Sequence, residues 1–127
     1  MRPSVDNFLS FVFGNLFVAF SHIGIDEENS DRLVIDDNTR KLIVDRRKRT
    51  VSAFGHMLAR FDAVDSIQVA HFINGRRYEW WILSLQLRDG RKVQMGKSTD
   101  GPGVAIVAAH LSTVIDKRVL AISKPGI

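Results

Sequence analysis

The segment MGKSTDG, residues 95–101, carries the first residue types in the chain that could do chemistry: Gly-Lys-Ser-Thr ends the loop that cradles phosphates, and a helical pattern follows it. Such a loop needs a glycine separated by four residues from the Gly-Lys pair, where this chain has Arg91, and Gly90 stands one position too early. The residues before it alternate as an antiparallel strand, and no parallel strand–helix–strand unit or acidic strand end for magnesium accompanies them. The segment therefore reads as a strand end, a polar turn and a helix cap. Asp62 and Asp65 come nearest to a carboxylate pair, but in a turn or strand that spacing sends them to different sides, away from any shared site that would push one of them toward neutrality. Asp62 reads instead as the cap of a local turn. No G-x-S-x-G elbow occurs. His22, His56, His71 and His110 lack HxH or HxxxH spacing, and the absence of cysteine removes disulfides, thiolate zinc sites and cysteine nucleophiles together. No catalytic residue, metal or cofactor is expected, and the chain reads as non-enzymatic.

Charge offers more. Between Asp26 and Asp37 lie six acids (Asp26, Glu27, Glu28, Asp31, Asp36, Asp37) and one base, Arg32. Between Arg40 and Arg60 lie seven bases (Arg40, Lys41, Arg46, Arg47, Lys48, Arg49, Arg60) and one acid, Asp45. Two readings fit: strand ends that partly neutralise each other in water, or an electropositive patch for anionic lipid headgroups, an acidic protein or nucleic acid. For the second, Arg46, Arg47, Lys48 and Arg49 are the core, with Lys41 and Arg60 beside them. A strand would split the four between two faces, so a complete site requires a loop. No nucleic acid is expected, because the acidic segment opposes it and neither a helix-turn-helix nor a paired-aromatic strand signature appears.

These residues must be held by a small β-rich fold. A chain of 127 residues reads as one domain able to bury roughly two thirds of its unfolded surface. In EWWILSLQLRDGRKVQMG, residues 79–96, Trp81, Leu83, Leu85 and Leu87 alternate with polar residues, and Val93 and Met95 resume the pattern. Joining the apolar faces pairs Leu85 with Val93, Leu83 with Met95 and Leu87 with Arg91. This leaves the loop Arg88-Asp89-Gly90, with glycine at the left-handed position. In RLVIDDNTRKLIVD, pairing Ile35 with Leu42, Val34 with Ile43 and Leu33 with Val44 matches apolar residues on both faces. Phe54 to Phe61 reads as a strand with Gly55 as a bulge, Ile67, Val69 and His71 as another, and Asn74-Gly75 as a turn. Trp80 points away from the Trp81 face, so Tyr78, Trp80 and Ile82 form a second apolar strip, suited to a partner surface or subunit interface or to cover by the hydrophobic N-terminal segment as a helix. From Val104 the apolar positions Val107, Ala108, Leu111, Val114 and Ile115 follow helical spacing. Ser98, Thr99 or Asp100 can cap this helix, Pro102 suits its first turn and Lys117 and Arg118 complement its end. The tail from Ser123 reads as frayed.

Residues 8–25, FLSFVFGNLFVAFSHIGI, hold five phenylalanines and no charge. As a helix they would measure ~27 Å, the lower limit for a membrane span. Three readings stay open: a helix buried against the domain or another subunit through residues such as Phe13 and Phe17, a span or in-plane anchor, and strands. No small-residue cleavage site follows, which argues against a cleaved signal peptide. Residues 1–25 read as a hydrophobic N-terminal segment, the polar stretch 26–31 as a linker, residues 32–118 as the domain and 119–127 as a tail.

The two hairpins RLVIDDNTRKLIV and WWILSLQLRDGRKVQMG, the strand entry ARFDAVDSIQV and the terminal helix GVAIVAAHLSTVI resemble the bacterial pleckstrin-homology-like (PH-like) domains over residues 32–118. The resemblance implies a mainly β, α+β fold: a barrel or sandwich of about seven antiparallel strands with a C-terminal amphipathic helix plugging an open end. It implies a binding module without catalysis, in many relatives beside hydrophobic membrane helices. The expected partner is an anionic lipid met through the basic loop, at the cytoplasmic face of the inner membrane or in the cytoplasm. The alternative is a homo-oligomeric or protein-binding module that uses Tyr78, Trp80, Ile82, Phe13 and Phe17.

Overall fold

The alternating apolar positions close on one core, shared by two sheets and a helix. The computed structural model describes residues 22–74 and 78–125. The first sheet is a five-stranded antiparallel meander of β1 (Gly24–Glu28), β2 (Arg32–Asp36), β3 (Lys41–Asp45), β4 (Thr50–Ala53) and β5 (His56–Arg60). A single 3-10 turn, Phe61–Ala63, leads to the second sheet, built from β6 (Val64–Asn74), β7 (Tyr78–Leu87), β8 (Lys92–Ser98) and β9 (Val119–Pro125) in the order β8-β7-β6-β9. Between β8 and β9 runs the helix α1, Gly101–Ile115. The inward faces supply Leu33, Ile35, Leu42, Val44, Val51 and Phe61 from the first half and Ile67, Leu83, Leu85 and Met95 from the second. Val104, Val107, Ala108, Leu111 and Ile115, the apolar stripe of α1, pack into the same cluster.

Both hairpins form, one as expected in full and the other with a shift. β2 and β3 pair Leu33 with Val44, Val34 with Ile43 and Ile35 with Leu42. Leu85 pairs with Val93, and Leu87 both donates to Arg91 O and accepts from Gly90 N around the loop Arg88-Asp89-Gly90, whose glycine has φ 96°. The expected pairing of Leu83 with Met95 is corrected: Leu83 faces Gly96 and Ser84 faces Gln94, so Met95 is the extra residue of a bulge. The bulge turns Met95 fully inward and brings Gly96 where a side chain has no room. A Cβ there would lie 2.9 Å from both Asp37 Cβ and Ile23 Cδ1. At this point the β8 edge meets the beginning of β1 and the β2–β3 turn.

Several other expectations are corrected. There are nine strands among the described residues where about seven were expected; of the two forms expected, barrel or sandwich, the two sheets fit the sandwich, since no ladder among the described residues joins them into a closed barrel, and β9 is parallel to β6 where all strands were expected to be antiparallel. The first half of the expected linker 26–31 belongs to β1, since Ile25 packs on the core while Asp26, Glu27 and Glu28 are matched by Lys41, Arg32 and Arg46, and only 29–31 connect β1 to β2. The last residues of the expected hydrophobic segment 8–25, Gly24 and Ile25, are strand as well. Phe54 and Gly55 are not strand and bulge but the two-residue turn between β4 and β5, both with positive φ. Of the tail expected to be frayed, residues 123–125 belong to β9 and 126–127 lie outside the described residues; β9 runs parallel to β6 from Ile67↔Val119 to Ile73↔Pro125, so the fold exceeds the limits 32–118 on both sides. Asp100 caps α1 by accepting from Gly103 N, and Asp116 closes it in the left-handed conformation. Lys117 and Arg118 therefore lie beyond the cap, with no basic residue in the last turn. Residues 8–21 with Phe13 and Phe17, and the turn after Asn74, lie outside the described residues. Among the described residues no helix is long and apolar enough to cross a membrane.

The contact at Gly96 yields a prediction. Gly96→Ala places a methyl against the Asp37 and Ile23 side chains, and overpacking of this kind costs about 1–3 kcal/mol. Urea denaturation should show the loss, whereas an unchanged midpoint would mean that the two sheets have slack here.

Candidate binding surfaces

The basic run folds as the loop that a complete site demands. Asp45, at the end of β3, accepts backbone N–H bonds from Arg47 and Lys48 at 2.9 Å each, and its carbonyl accepts from Arg49 N. These bonds, Lys48 first and Arg47 after it, hold the Asp45 carboxyl below the usual carboxylate range against the opposing effect of burial. Arg49 sits at φ 57° and its guanidinium lies 5.3 Å from the centre of the buried Phe61 ring. Arg60 pairs with Thr50 across the β4–β5 ladder, which brings it to the same end of the first sheet. Lys41 is not brought there: it opens β3 opposite Asp36, about 16 Å of extended chain from Arg46.

Carboxylates meet most of these cations. Arg46 reaches Glu28 at 3.4 Å, Arg47 reaches Asp31 at 2.7 Å, Arg60 reaches Asp62 at 3.4 Å and Lys41 reaches Asp26 at 2.7 Å. The hydrogen bond to Asp26 raises the Lys41 pKa, and that to Glu27 raises the Arg32 pKa. Glu28 also meets His110 Nδ1 at 2.8 Å, tying the middle of α1 to β1. Asp62 thus serves Arg60 rather than capping the turn it occupies. Lys48 and Arg49 have no carboxylate partner among the described residues. The Arg47 pair is 80% and 56% exposed, and ion pairs in that setting are worth about 0–1 kcal/mol, so an incoming anion can exchange with the carboxylate.

The second surface is the outer face of the four-stranded sheet. Because Trp81, Leu83 and Leu85 point inward, Tyr78, Trp80 and Ile82 share the other face. Phe72 lies opposite Trp80 with stacked rings 5.6 Å apart, and Leu120 and Ile122 extend the strip onto β9. All six are half-buried, and the polar residues Lys92, Gln94 and Lys97 of β8 border them. No family model, no curated protein and no solved structure matches the chain. The two surfaces therefore rest on their own chemistry.

A further feature was not read from the sequence. Phe54, 73% exposed at φ 53°, forms the tip of the β4–β5 hairpin, and Met57 beside it is 59% exposed. Phe-Gly flanked by short apolar runs was the available signal, since a two-residue hairpin loop ending in glycine is common. At the far end of the inner sheet face, His71 stacks on Trp81 at 4.4 Å and meets Glu79 at 2.9 Å, while Trp81 packs against Gly101 at the start of α1. Among the described residues no three His, Asp or Glu side chains converge as metal ligands.

The lowered pKa of Asp45 has a pH consequence. A carboxyl whose folded value is depressed contributes stability above its unfolded value, about 3.9, and loses it as the pH falls through the folded value. Asp45→Asn keeps the shape without the charge. It should lower the urea midpoint at pH 7, and the gap to the unaltered protein should narrow as the pH falls below about 4. The same gap at pH 7 and pH 3 would show that the charge of Asp45 does not hold the loop.

Proposed function

We propose that this protein is a non-enzymatic, PH-like binding domain that docks to an anionic membrane surface through the Arg46–Arg49 turn. The observation that carries the reading is the loop itself: Asp45 braces its backbone, Lys48 and Arg49 are exposed and have no carboxylate partner among the described residues, Arg49 lying over the Phe61 ring, and Arg47 is held only by an exposed pair. A braced cationic turn loses little conformational freedom on meeting phosphate groups, and each Lys or Arg near an anionic bilayer contributes about 1 kcal/mol. Arg60 adjoins this group, whereas Lys41 stands apart from it. Two sheets and one helix are in keeping with PH-like architecture, whereas β9, which follows α1 and runs parallel to β6, departs from the terminal helix and antiparallel strands of that layout.

Co-sedimentation of the full chain with neutral and with phosphatidylserine-containing vesicles, at low and high salt, tests the reading. The expected result is binding to the anionic vesicles that weakens with salt. Lys48→Ala with Arg49→Ala removes two uncompensated cations, hence about 2 kcal/mol or roughly 30-fold in partition, while Lys41→Ala leaves partition unchanged. Equal loss from both variants, or binding indifferent to lipid charge, would sink it.

A second reading, a homo-oligomeric or protein-binding module, is favoured by the exposed Phe54 and Met57 at the β4–β5 hairpin. An aromatic residue in the left-handed region is strained, and the cost is tolerated where it serves a contact. Phe54→Asn, with the residue that such turns prefer, should stabilise the isolated domain by about 0.5–1 kcal/mol. On this reading the same change abolishes a concentration-dependent mass in sedimentation equilibrium. A mass that is already constant before the change leaves the hairpin without that role.

A further inference from the structure

We infer that the outer face of the four-stranded sheet is a docking site for the phenylalanine-rich segment of the same chain, residues 8–20, lying across Trp80, Phe72, Ile82 and Ile122. The face is apolar over three strands: Ile82 and Trp80 on β7, Phe72 on β6 and Ile122 on β9 present side chains to one side. None of the described elements packs there. α1 occupies the opposite face, where its stripe joins Leu83 and Leu85 in the core and Gly101 abuts Trp81. An apolar area of this extent is rarely left to water.

The identity of the occupant follows from where the chain enters. Ile23 is buried beside Gly96 on β8, the edge strand of this sheet, and Gly96 pairs with Leu83, next to the Lys97–Ile82 pair. The segment preceding Ile23 therefore arrives at the border of the apolar face. Residues 8–20 contain Phe8, Phe11, Phe13, Phe17 and Phe20 and no charge. As a helix, thirteen residues measure about 20 Å, and the axes of β8 and β9 lie about 14 Å apart across three strand spacings. One such helix spans the face from edge to edge, and Ser21 and His22 suffice to bridge to Ile23. Attachment to the same chain gives the segment an effective concentration of about millimolar at this face, which favours it over a second copy at ordinary protein concentrations. The basic turn plays no part in this docking. Residues 8–20 thereby belong to the domain's own layer structure rather than to the interior of a bilayer.

The chain contains no cysteine, so engineered pairs report without background. Ala70, half-buried at the centre of the face opposite Ile82, is replaced in Ala70→Cys, combined in the full chain with Phe13→Cys or Phe17→Cys. Ala105, exposed on α1, supplies the control Ala105→Cys with the same partners. Mild oxidation should give an intramolecular disulfide in at least one pair that includes Ala70→Cys and in neither control. Alkylation of the single variant Ala70→Cys should rise at least tenfold when Phe13→Asp and Phe17→Asp are introduced, with alkylation of Ala105→Cys unaffected. Disulfide-linked dimers would make a second copy the occupant and overturn the inference. So would an absence of cross-links together with alkylation of Ala70→Cys that the Asp changes leave unaltered. Co-sedimentation with neutral vesicles accompanying those negative results would assign the segment to lipid.

Discussion

Everything in this molecule depends on two sheets and one helix sharing a single set of inward-facing side chains. β2, β3 and β4 each contribute two apolar residues at alternate positions, and β7 contributes Leu83, Leu85 and Leu87. Neither sheet could keep that face in water, and α1 closes the space between them with five buried residues of one stripe. Local irregularities serve this constraint. The bulge at Met95 turns its side chain inward and lets Gly96 approach the turn at Asp37, where any Cβ would collide. The strand that looks imperfect by strict alternation is the one that fits.

The same constraint explains how charge is distributed. With the apolar side chains committed inward, the edge strand β1 carries three acids in a row and β2, β3 and the turn after β3 carry the matching bases, so Asp26, Glu27 and Glu28 meet Lys41, Arg32 and Arg46. The exposed pairs among these contribute little individually. Their effect is selective: they neutralise Lys41 and Arg46 and leave Lys48 and Arg49 as the uncompensated part of a run of four. A linear count of bases overstated the cationic surface because the opposing carboxylates come from a strand 15 and 18 residues away.

Much of this was legible in the chain, and the exceptions have physical causes. The hairpin register around Asn38, that around Asp89 as far as the Leu85–Val93 pair, and the buried stripe of α1 follow from apolar matching and helical spacing, because these signals are local. The loop conformation of Arg46–Arg49 was required by the site but not shown by it. β1 was missed because its residues are mostly acidic, and acids are poor strand formers until a ladder supplies opposite charges. β9 was missed because Val119–Pro125 carries a lysine and a proline and gains its conformation from β6. Missing β9 also hid Leu120 and Ile122, so the strip around Trp80 looked narrower than it is. Phe54 was read as strand because an aromatic residue in the left-handed region runs against expectation.

The parallel ladder between β6 and β9 also sets an order of events. Ile67 pairs with Val119, 52 positions later, and parallel neighbours of this separation cannot form until the intervening β7, β8 and α1 have been arranged. Until then β6, the longest strand among the described residues, presents a free edge of N–H and C=O groups. A chain caught at that stage offers another molecule the template that β9 will later occupy. The competition between closing its own sheet and adding a foreign strand is thus built into the topology, and the speed with which α1 docks decides it.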